Sequence, residues 1–253
     1  MEVLNENDNL IYGTRPVIES LKAGKEFDKI FIQKGLRSEQ LAELYQLIKM
    51  YDSPFQHVPA EKLNRLTRKN HQGVVGFVSV VTYQPIEEVV QRIYERSQTP
   101  LLMVLDGVTD VRNFGAIVRS AECAGAHAIL FPTQGSAQLN ADTMKTSAGA
   151  LNHLAICRTK NLNHALEYLK QSGIQLVAAT EKAEKALYDV DYTVPTAVLM
   201  GSEEDGISPA YLHKADQQVH IPMLGRTESL NVSVAAGVLL YEAVRQRRNL
   251  PQS

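Results

Sequence analysis

Three short stretches of this chain carry side chains that could do chemistry together. The first is Asp106-Gly-Val-Thr-Asp-Val-Arg-Asn-Phe-Gly-Ala-Ile-Val-Arg119. Asn113 is placed to cap a predicted helix, Gly125 to end it in a left-handed conformation, and Arg119 lies between. Gly115 and Ala116, one turn back, would leave clearance beside the guanidinium for a phosphate or ribose. The plain alternative is an exposed Arg119–Glu122 pair at i, i+3, worth roughly a few tenths of a kcal/mol. The second stretch is Gly201-Ser-Glu-Glu-Asp-Gly206, which follows an apolar strand. Glycine at a strand exit admits a ligand to the backbone. Open α/β sheets collect ligands at strand carboxyl ends, although an ordinary surface turn has the same composition. The third stretch, Gly225-Arg-Thr-Glu-Ser-Leu-Asn231, leads into a helix whose free N–H groups can hold an anion or carboxylate. Ser229 acting as a simple N-cap accounts for that stretch equally well.

What is missing narrows the chemistry. The acids at 203–205 lack spaced His or Asp partners, so no metal site is expected. No G-x-G-x-x-G follows a strand, and no G-x-x-x-x-G-K-[ST], G-x-S-x-G or C-x-x-C occurs. That argues against ordinary dinucleotide and P-loop enzymes, α/β-hydrolases and dithiol redox proteins.

The elements that must position these loops are strands alternating with helices from Pro100 onward. Apolar runs predict strands at 101–108, 128–131, 154–158, 175–179, 197–200 and 219–222. Helices are predicted at 113–124, 140–150, 162–171, 209–215 and 229–247. Near-continuous apolar strands imply an α/β fold, a mostly parallel sheet covered by helices on both faces. In the last helix Val232, Ala235, Ala236, Leu239, Leu240 and Ala243 share one face, while Val234, Val238 and Tyr241 make the other side apolar too. A helix apolar nearly all round is covered on more than one side, here by its own sheet and a second subunit.

Residues 1–81 read as a small α/β domain, 82–99 as a connector with Pro85 and a charged helical stretch, and 100–253 as the main domain. In the small domain, helices are predicted at 14–21 (Thr14 as N-cap), 38–50 and 60–66, and strands at 28–33, 55–58 and 73–81. Arg65-Leu-Thr-Arg-Lys-Asn-His-Gln72, with Arg15 after Gly13, offers mobile cations beside backbone donors, which suits phosphate. Arg68, Lys69, His71 and Arg15 are the candidates, a solvated loop being the alternative. The 253 residues are 44% hydrophobic with net charge −2, so nucleic acid would be held by a local patch rather than a global field. Two cysteines, no membrane-length apolar run and an acidic N-terminus unlike a signal peptide predict a cytoplasmic protein with no membrane partner.

Taken together, the three loops resemble the SpoU (TrmH-like) family of RNA ribose 2′-O-methyltransferases. The matching residues are Asn113, Arg119 and Gly125; then Gly201, Ser202, Glu203, Gly206 and Ile207; then Ile221-Pro-Met223 and Ser229-Leu-Asn-Val-Ser-Val-Ala235. Leu-Asp-Gly-Val-Thr-Asp at 105–110 and Ser-Ala-Gln-Leu-Asn at 136–140 are similar to the branch that methylates a guanosine ribose in 23S ribosomal RNA. Ile11-Tyr-Gly13 and His71-Gln-Gly73 sit where that branch has an RNA-binding N-domain. Glu204 departs from the pattern, since the family usually has Gly there, and this bears on the loop's backbone shape.

The resemblance implies a C-terminal trefoil knot holding S-adenosylmethionine, with backbone around Thr180, Gly201, Ile221, Met223 and Leu230 as its seat. It also implies a homodimer through the last helix and a ribosomal RNA substrate. In the family proposal the matching arginine, Arg119, is the base or activator. Arginine keeps its proton at physiological pH, so Arg119 is expected instead to orient an RNA phosphate and stabilise a developing alkoxide. The proton would then go to that phosphate, to Glu203 or to water, while Asn113, Ser229 and Asn231 would fix ribose, guanidinium and cofactor by hydrogen bonds. The rivals are the same reaction on transfer RNA and a non-catalytic RNA-binding or ribosome-assembly factor.

Overall fold

The computed structural model describes residues 9–137 and 139–248. The acidic N-terminal eight residues and Gln138 of the 136–140 match therefore lie outside the described residues. Contacts divide the chain into two units, one running to Thr82 and taking in Leu139–Ala141, the other starting at Tyr83.

The first unit is a four-stranded sheet between helical layers. Its strands are β1 (Leu10–Tyr12), β2 (Phe27–Gln33), β3 (Phe55–Val58) and β4 (Val74–Val78), in the order β1-β4-β2-β3. β4 runs antiparallel to both neighbours, and β3 is parallel to β2. Helices α1 (Thr14–Lys22) and α2 (Leu41–Met50) bury Val17, Ile18, Leu21, Leu44, Leu47 and Ile48 against one face. Helix α3 (Ala60–Leu66) sets Leu63 against Phe31 and Val75 on the other. Two expectations are corrected. β1 was too short for alternation to reveal. Thr14 is not the N-cap of α1: Gly13 holds that place, with its own N–H bonded to Val74 O at 2.9 Å, and Thr14 is buried in the first turn.

The second unit opens with α4 (Ile86–Glu95), inside the segment expected to connect domains. Ile86, Val89, Val90 and Ile93 fall at i, i+3, i+4, i+7, and all four are buried in one cluster with Leu102, Val104, Leu130 and Leu166. Its charged residues decorate a helix that belongs to this unit's core.

The sheet has seven strands: β5 (Leu101–Leu105), β6 (Ala128–Pro132), β7 (Ala155–Thr159), β8 (Gln175–Ala179), β9 (Lys185–Ala186), β10 (Thr196–Met200) and β11 (Gln217–His220). They lie in the order β7-β6-β5-β10-β8-β11-β9, and every recorded pairing is parallel. Every residue of β5 and β10 is buried, as expected for central strands covered on both faces. β10 returns between β5 and β8, and β11 between β8 and β9. The carboxyl ends of β5, β10, β8 and β11 thus lie side by side on one edge.

The covering helices are α5 (Val111–Cys123), α6 (Ala141–Thr146), α7 (Leu162–Gln171), α8 (Pro209–Leu212) and α9 (Val232–Arg247). α7 matches its expected span. The helix expected over 140–150 stops at Thr146, because Ala148 and Gly149 take left-handed φ values of 51° and 86°. In α9, Val232, Ala236, Leu239, Leu240 and Ala243 are buried, while Val234 and Tyr241 are 52% and 53% exposed.

The far end of α9 is tied down by one side chain. Arg247 donates to Tyr192 O at 2.8 Å, Thr99 O at 2.9 Å, Pro100 O at 2.8 Å and Val194 O at 3.0 Å. It therefore joins the last helix to the residues that lead into β5 and β10. Arg247→Met keeps the stem but strips these carbonyls of their donors, at an expected cost of roughly 2–4 kcal/mol. Urea melts read the loss as a lower midpoint at unchanged slope. An unshifted midpoint would remove Arg247 from the fold's anchoring.

Candidate active site

α5 begins at the end of β5 because Asp110 caps it, accepting from Arg112 N at 2.7 Å and Asn113 N at 3.0 Å. Those backbone bonds hold the Asp110 carboxyl below its ordinary range. Asn113 was expected as the cap; the structure corrects this, since Asp110 is three residues upstream with the right reach. Asn113 is thereby free for a distant partner. At the other end Gly125 takes φ 71°, one residue past the C-cap Ala124, as its spacing predicted.

Free of capping, Asn113 meets Glu203 and Asn231. Glu203 Oε1 accepts from Asn231 Nδ2 at 2.7 Å, from Asn113 Nδ2 at 3.3 Å and from Val232 N at 3.3 Å. Asn231 Nδ2 also donates to Asn113 Oδ1 at 3.0 Å. Asn231 Oδ1 accepts from Ser233 N at 3.0 Å, which makes Asn231 the N-cap of α9. The alternative that gave this cap to Ser229 is corrected, because the helix starts three residues later, at Val232. One carboxylate therefore sits at the N-terminus of α9, where the helix's positive end favours it, and clamps the three loops together.

The Gly201–Gly206 turn makes that clamp possible. Ser202 and Gly206 exchange two backbone bonds, Ser202 N to Gly206 O at 3.2 Å and Gly206 N to Ser202 O at 3.1 Å. The chain folds so tightly that a Cβ on Gly201 would stand 2.0 Å from Gly206 C and 2.2 Å from Ile207 N. Glycine here is required by the chain's own backbone, independently of any ligand. At Gly115 the expected clearance is corrected. The room beside it is filled by α6, with Thr146 Cβ 2.7 Å from where a Cβ would lie. Glu204 lies in the turn without a positive φ, so a side chain is accommodated without strain.

A cavity of about 480 Å³ opens beside this clamp, lined by Asp110, Asn113, Ser202, Glu203, Glu204 and Val232 among others. Its volume is within the usual range for small-molecule sites. Asp106, which sequence reasoning missed, is buried and accepts Ser208 N at 2.7 Å, closing the base of the turn. A carboxylate directly after an apolar strand was the available signal.

The remaining candidates are distributed as follows. Arg119 is exposed on α5 and, among the described residues, forms no pair with Glu122 or any other carboxylate. Ser229 and Leu230 are exposed in the loop before α9, and Met223 is partly exposed. None of these four joins the Asn113–Glu203–Asn231 clamp. Thr180, Gly201 and Ile221 follow the carboxyl ends of β8, β10 and β11 respectively. Thr180 spends its backbone locally, its N–H on Val219 O at 2.9 Å and its carbonyl on Ala183 N at 3.2 Å. In the first unit Arg68 is exposed, Lys69 Nζ stands 5.3 Å from the Tyr12 ring centre, and Arg15 pairs with Glu19 at 3.3 Å. His71 shapes its loop: Nδ1 accepts from Gly73 N at 3.0 Å and Nε2 lies 2.9 Å from Asn64 Oδ1.

The carboxyl edge of β10-β8-β11 carries polar groups left without partners by the chain itself. Among the described residues, 223–230 make no hydrogen bond within the chain, so their backbone groups are open to a base or ribose. At the end of β11, His220 Nδ1 is buried without a partner. No group of three or more His, Cys, Asp or Glu side chains is placed to hold a metal among the described residues. Among them, too, no helix is long and apolar enough to cross a membrane.

Neighbouring strand ends, a loop-clamping carboxylate and a cavity beside them define an open α/β protein with its ligand site at the carboxyl edge of the sheet. Comparison with known proteins makes the class specific. Residues 100–241 match the SpoU rRNA Methylase family, and residues 10–84 match the RNA 2′-O ribose methyltransferase substrate binding family. The chain is 32% identical over 244 residues to the putative TrmH family tRNA/rRNA methyltransferase YacO of Bacillus subtilis, covering 96% of this chain and 98% of the relative. It is 36% identical over 241 residues to the 23S rRNA (guanosine-2′-O-)-methyltransferase RlmB of Photorhabdus laumondii, covering 94% and 98%. Among solved structures it is similar to the SpoU methyltransferase AviRb from Streptomyces viridochromogenes in complex with AdoMet, at 25% identity and TM-score 0.61, over 97% of this chain and 95% of that one. The chain belongs to the SpoU/TrmH family. It is an S-adenosylmethionine-dependent RNA 2′-O-methyltransferase.

Proposed function

We propose that this enzyme methylates the ribose 2′-oxygen of a guanosine in 23S ribosomal RNA. The observation that carries the site is the hydrogen-bonded cluster of Asn113, Glu203 and Asn231, with Asn113 and Glu203 lining one cavity at the sheet's carboxyl edge. The ribosomal substrate is supported by the 36% identity to a relative named for that reaction and by the match of residues 10–84 to a substrate-binding family. S-adenosylmethionine supplies the activated methyl group; the protein's task is to align and deprotonate a hydroxyl.

In this reading Glu203 is the clamp, holding Asn113 and Asn231 at fixed positions beside the cavity. Arg119, unpaired on α5, receives an RNA phosphate and stabilises the alkoxide as it develops. Ser229 lies in the loop with Leu230 and Met223, and the backbone there, together with that at Gly201 and Ile221 and in the residues around Thr180, seats the cofactor. We extend the reading to a threaded C-terminal knot and to a homodimer in which the exposed Val234 and Tyr241 side of α9 is covered. The free Cys123 and Cys157 suit a reducing cytoplasm.

The test is to incubate the enzyme with tritiated cofactor and total RNA and to map the label. Methyl at one guanosine ribose of 23S RNA is expected. Label confined to transfer RNA would overturn the ribosomal assignment while leaving the chemistry intact. In the first unit, Arg68→Ala with Lys69→Ala is expected to weaken RNA binding and to reduce the slope of log affinity against log salt by about 1 to 2. Equal affinity at low and high salt would remove this loop from the RNA interface.

A further inference from the structure

The opposite edge of the second unit's sheet carries another cavity, of about 220 Å³. It is lined by Gln98, His127, Asn152, His153 and two arginines, Arg92 and Arg96. Gln98, His127 and the 152–153 pair lie just before β5, β6 and β7, three neighbouring parallel strands. The cavity is thus at the amino edge, whereas Asn113 and Glu203 follow strand carboxyl ends.

Its positive charge has no partner. Arg92 lies in the last turn of α4 and Arg96 at its C-cap. Among the described residues neither pairs with a carboxylate, and no carboxylate lines the cavity. The half-buried Arg92 donates to neutral Gln84 Oε1 at 2.5 Å. Glu95, the nearest acid along the helix, is engaged by Gln91 Nε2 at 2.8 Å. The carboxyl end of α4 contributes only about half a negative charge against two cations. The half-buried Arg92 and the exposed Arg96, without a counter-ion, favour an anion with several oxygens, which guanidiniums bind in a forked geometry.

The other lining groups add donors. His127 Nδ1 accepts Leu101 N at 3.1 Å, so the ring hydrogen is on Nε2. Burial holds this imidazole below its ordinary pKa, keeping it a neutral donor near pH 7. Gln98 and Asn152 line the same cavity with their amides as further donors.

We infer that this cavity is a phosphate-binding site, taking either a backbone phosphodiester of RNA or the phosphate of a small molecule. The inference is independent of methyl transfer, since none of its residues belongs to the site described above.

Inorganic phosphate titrated into the full chain at constant ionic strength, followed by calorimetry, tests it. Arg96→Gln removes a guanidinium that has no other side-chain partner, so melting should be unchanged while phosphate binds about tenfold more weakly. Arg92→Lys, which keeps the charge but loses the fork, should fall between. RNA titrations against salt identify the source. A slope reduced by about 1 in Arg96→Gln supports a backbone phosphodiester. Weakened phosphate binding with an unchanged RNA slope supports a small-molecule phosphate. Phosphate that does not bind the wild-type chain, or binds both variants equally well, overturns the site.

Discussion

Arg119→Ala should lower the single-turnover rate of methyl transfer by about 10²- to 10³-fold, the usual cost of removing one donor from a developing oxyanion. RNA affinity should fall less, because a single phosphate contact is one among many. The expectation rests on the position of Arg119: exposed on α5, two turns beyond Asn113, and without an ion pair to Glu122. A guanidinium kept free of carboxylates is available to an incoming anion. Arg119→Lys should retain more rate than alanine, since it keeps the charge and loses the fork. If alanine methylates as fast as arginine, Arg119 has no part in the chemistry. If lysine is as inert as alanine, charge stabilisation is insufficient and a role specific to the guanidinium replaces it.

Gly201→Ala should be the most damaging single methyl in the enzyme. The added carbon would lie 2.0 Å from Gly206 C and 2.2 Å from Gly206 O, both backbone atoms with no rotamer to yield. The turn must open, and Glu203 is then withdrawn from Asn113, Asn231 and Val232. We expect roughly 3 kcal/mol or more of lost stability, with cofactor affinity reduced by more than tenfold. Glu204→Gly, three residues along the same turn, is the matched control. Glu204 has no positive φ and is exposed, so its replacement should shift stability by less than about 1 kcal/mol. Melting curves and cofactor titrations on both variants decide the point. A Gly201→Ala protein that melts with the wild type would mean that the turn has slack the geometry does not allow.

The backbone at Glu204 also accounts for the chain's departure from the family pattern. Where the family pattern has glycine, this chain has Glu204. Glycine is needed in this turn at 201, where backbone meets backbone, and at 206, where φ is 68°. Position 204 needs neither condition. The extra carboxylate changes only the rim of the cavity.

Elements set by local patterning were readable from the residues alone. The span of α7, the strand at 175–179, the left-handed Gly125 and the two apolar sides of α9 all follow from periodicity and residue type within a few turns of chain. The choice among competing hydrogen-bond partners was not readable. Asn113 could cap its own helix or reach across the sheet, and only the folded chain shows Asp110 taking the cap while Asn113 meets residues 90 and 118 positions away. Strand order belongs to the same class. β10 and β11 return to places between earlier strands, bringing the ends of β5, β10, β8 and β11 to one edge, and no window of sequence contains that pairing. Local conformational preference is written in neighbouring side chains, whereas pairing across the sheet is decided by which distant groups the packed core leaves within reach.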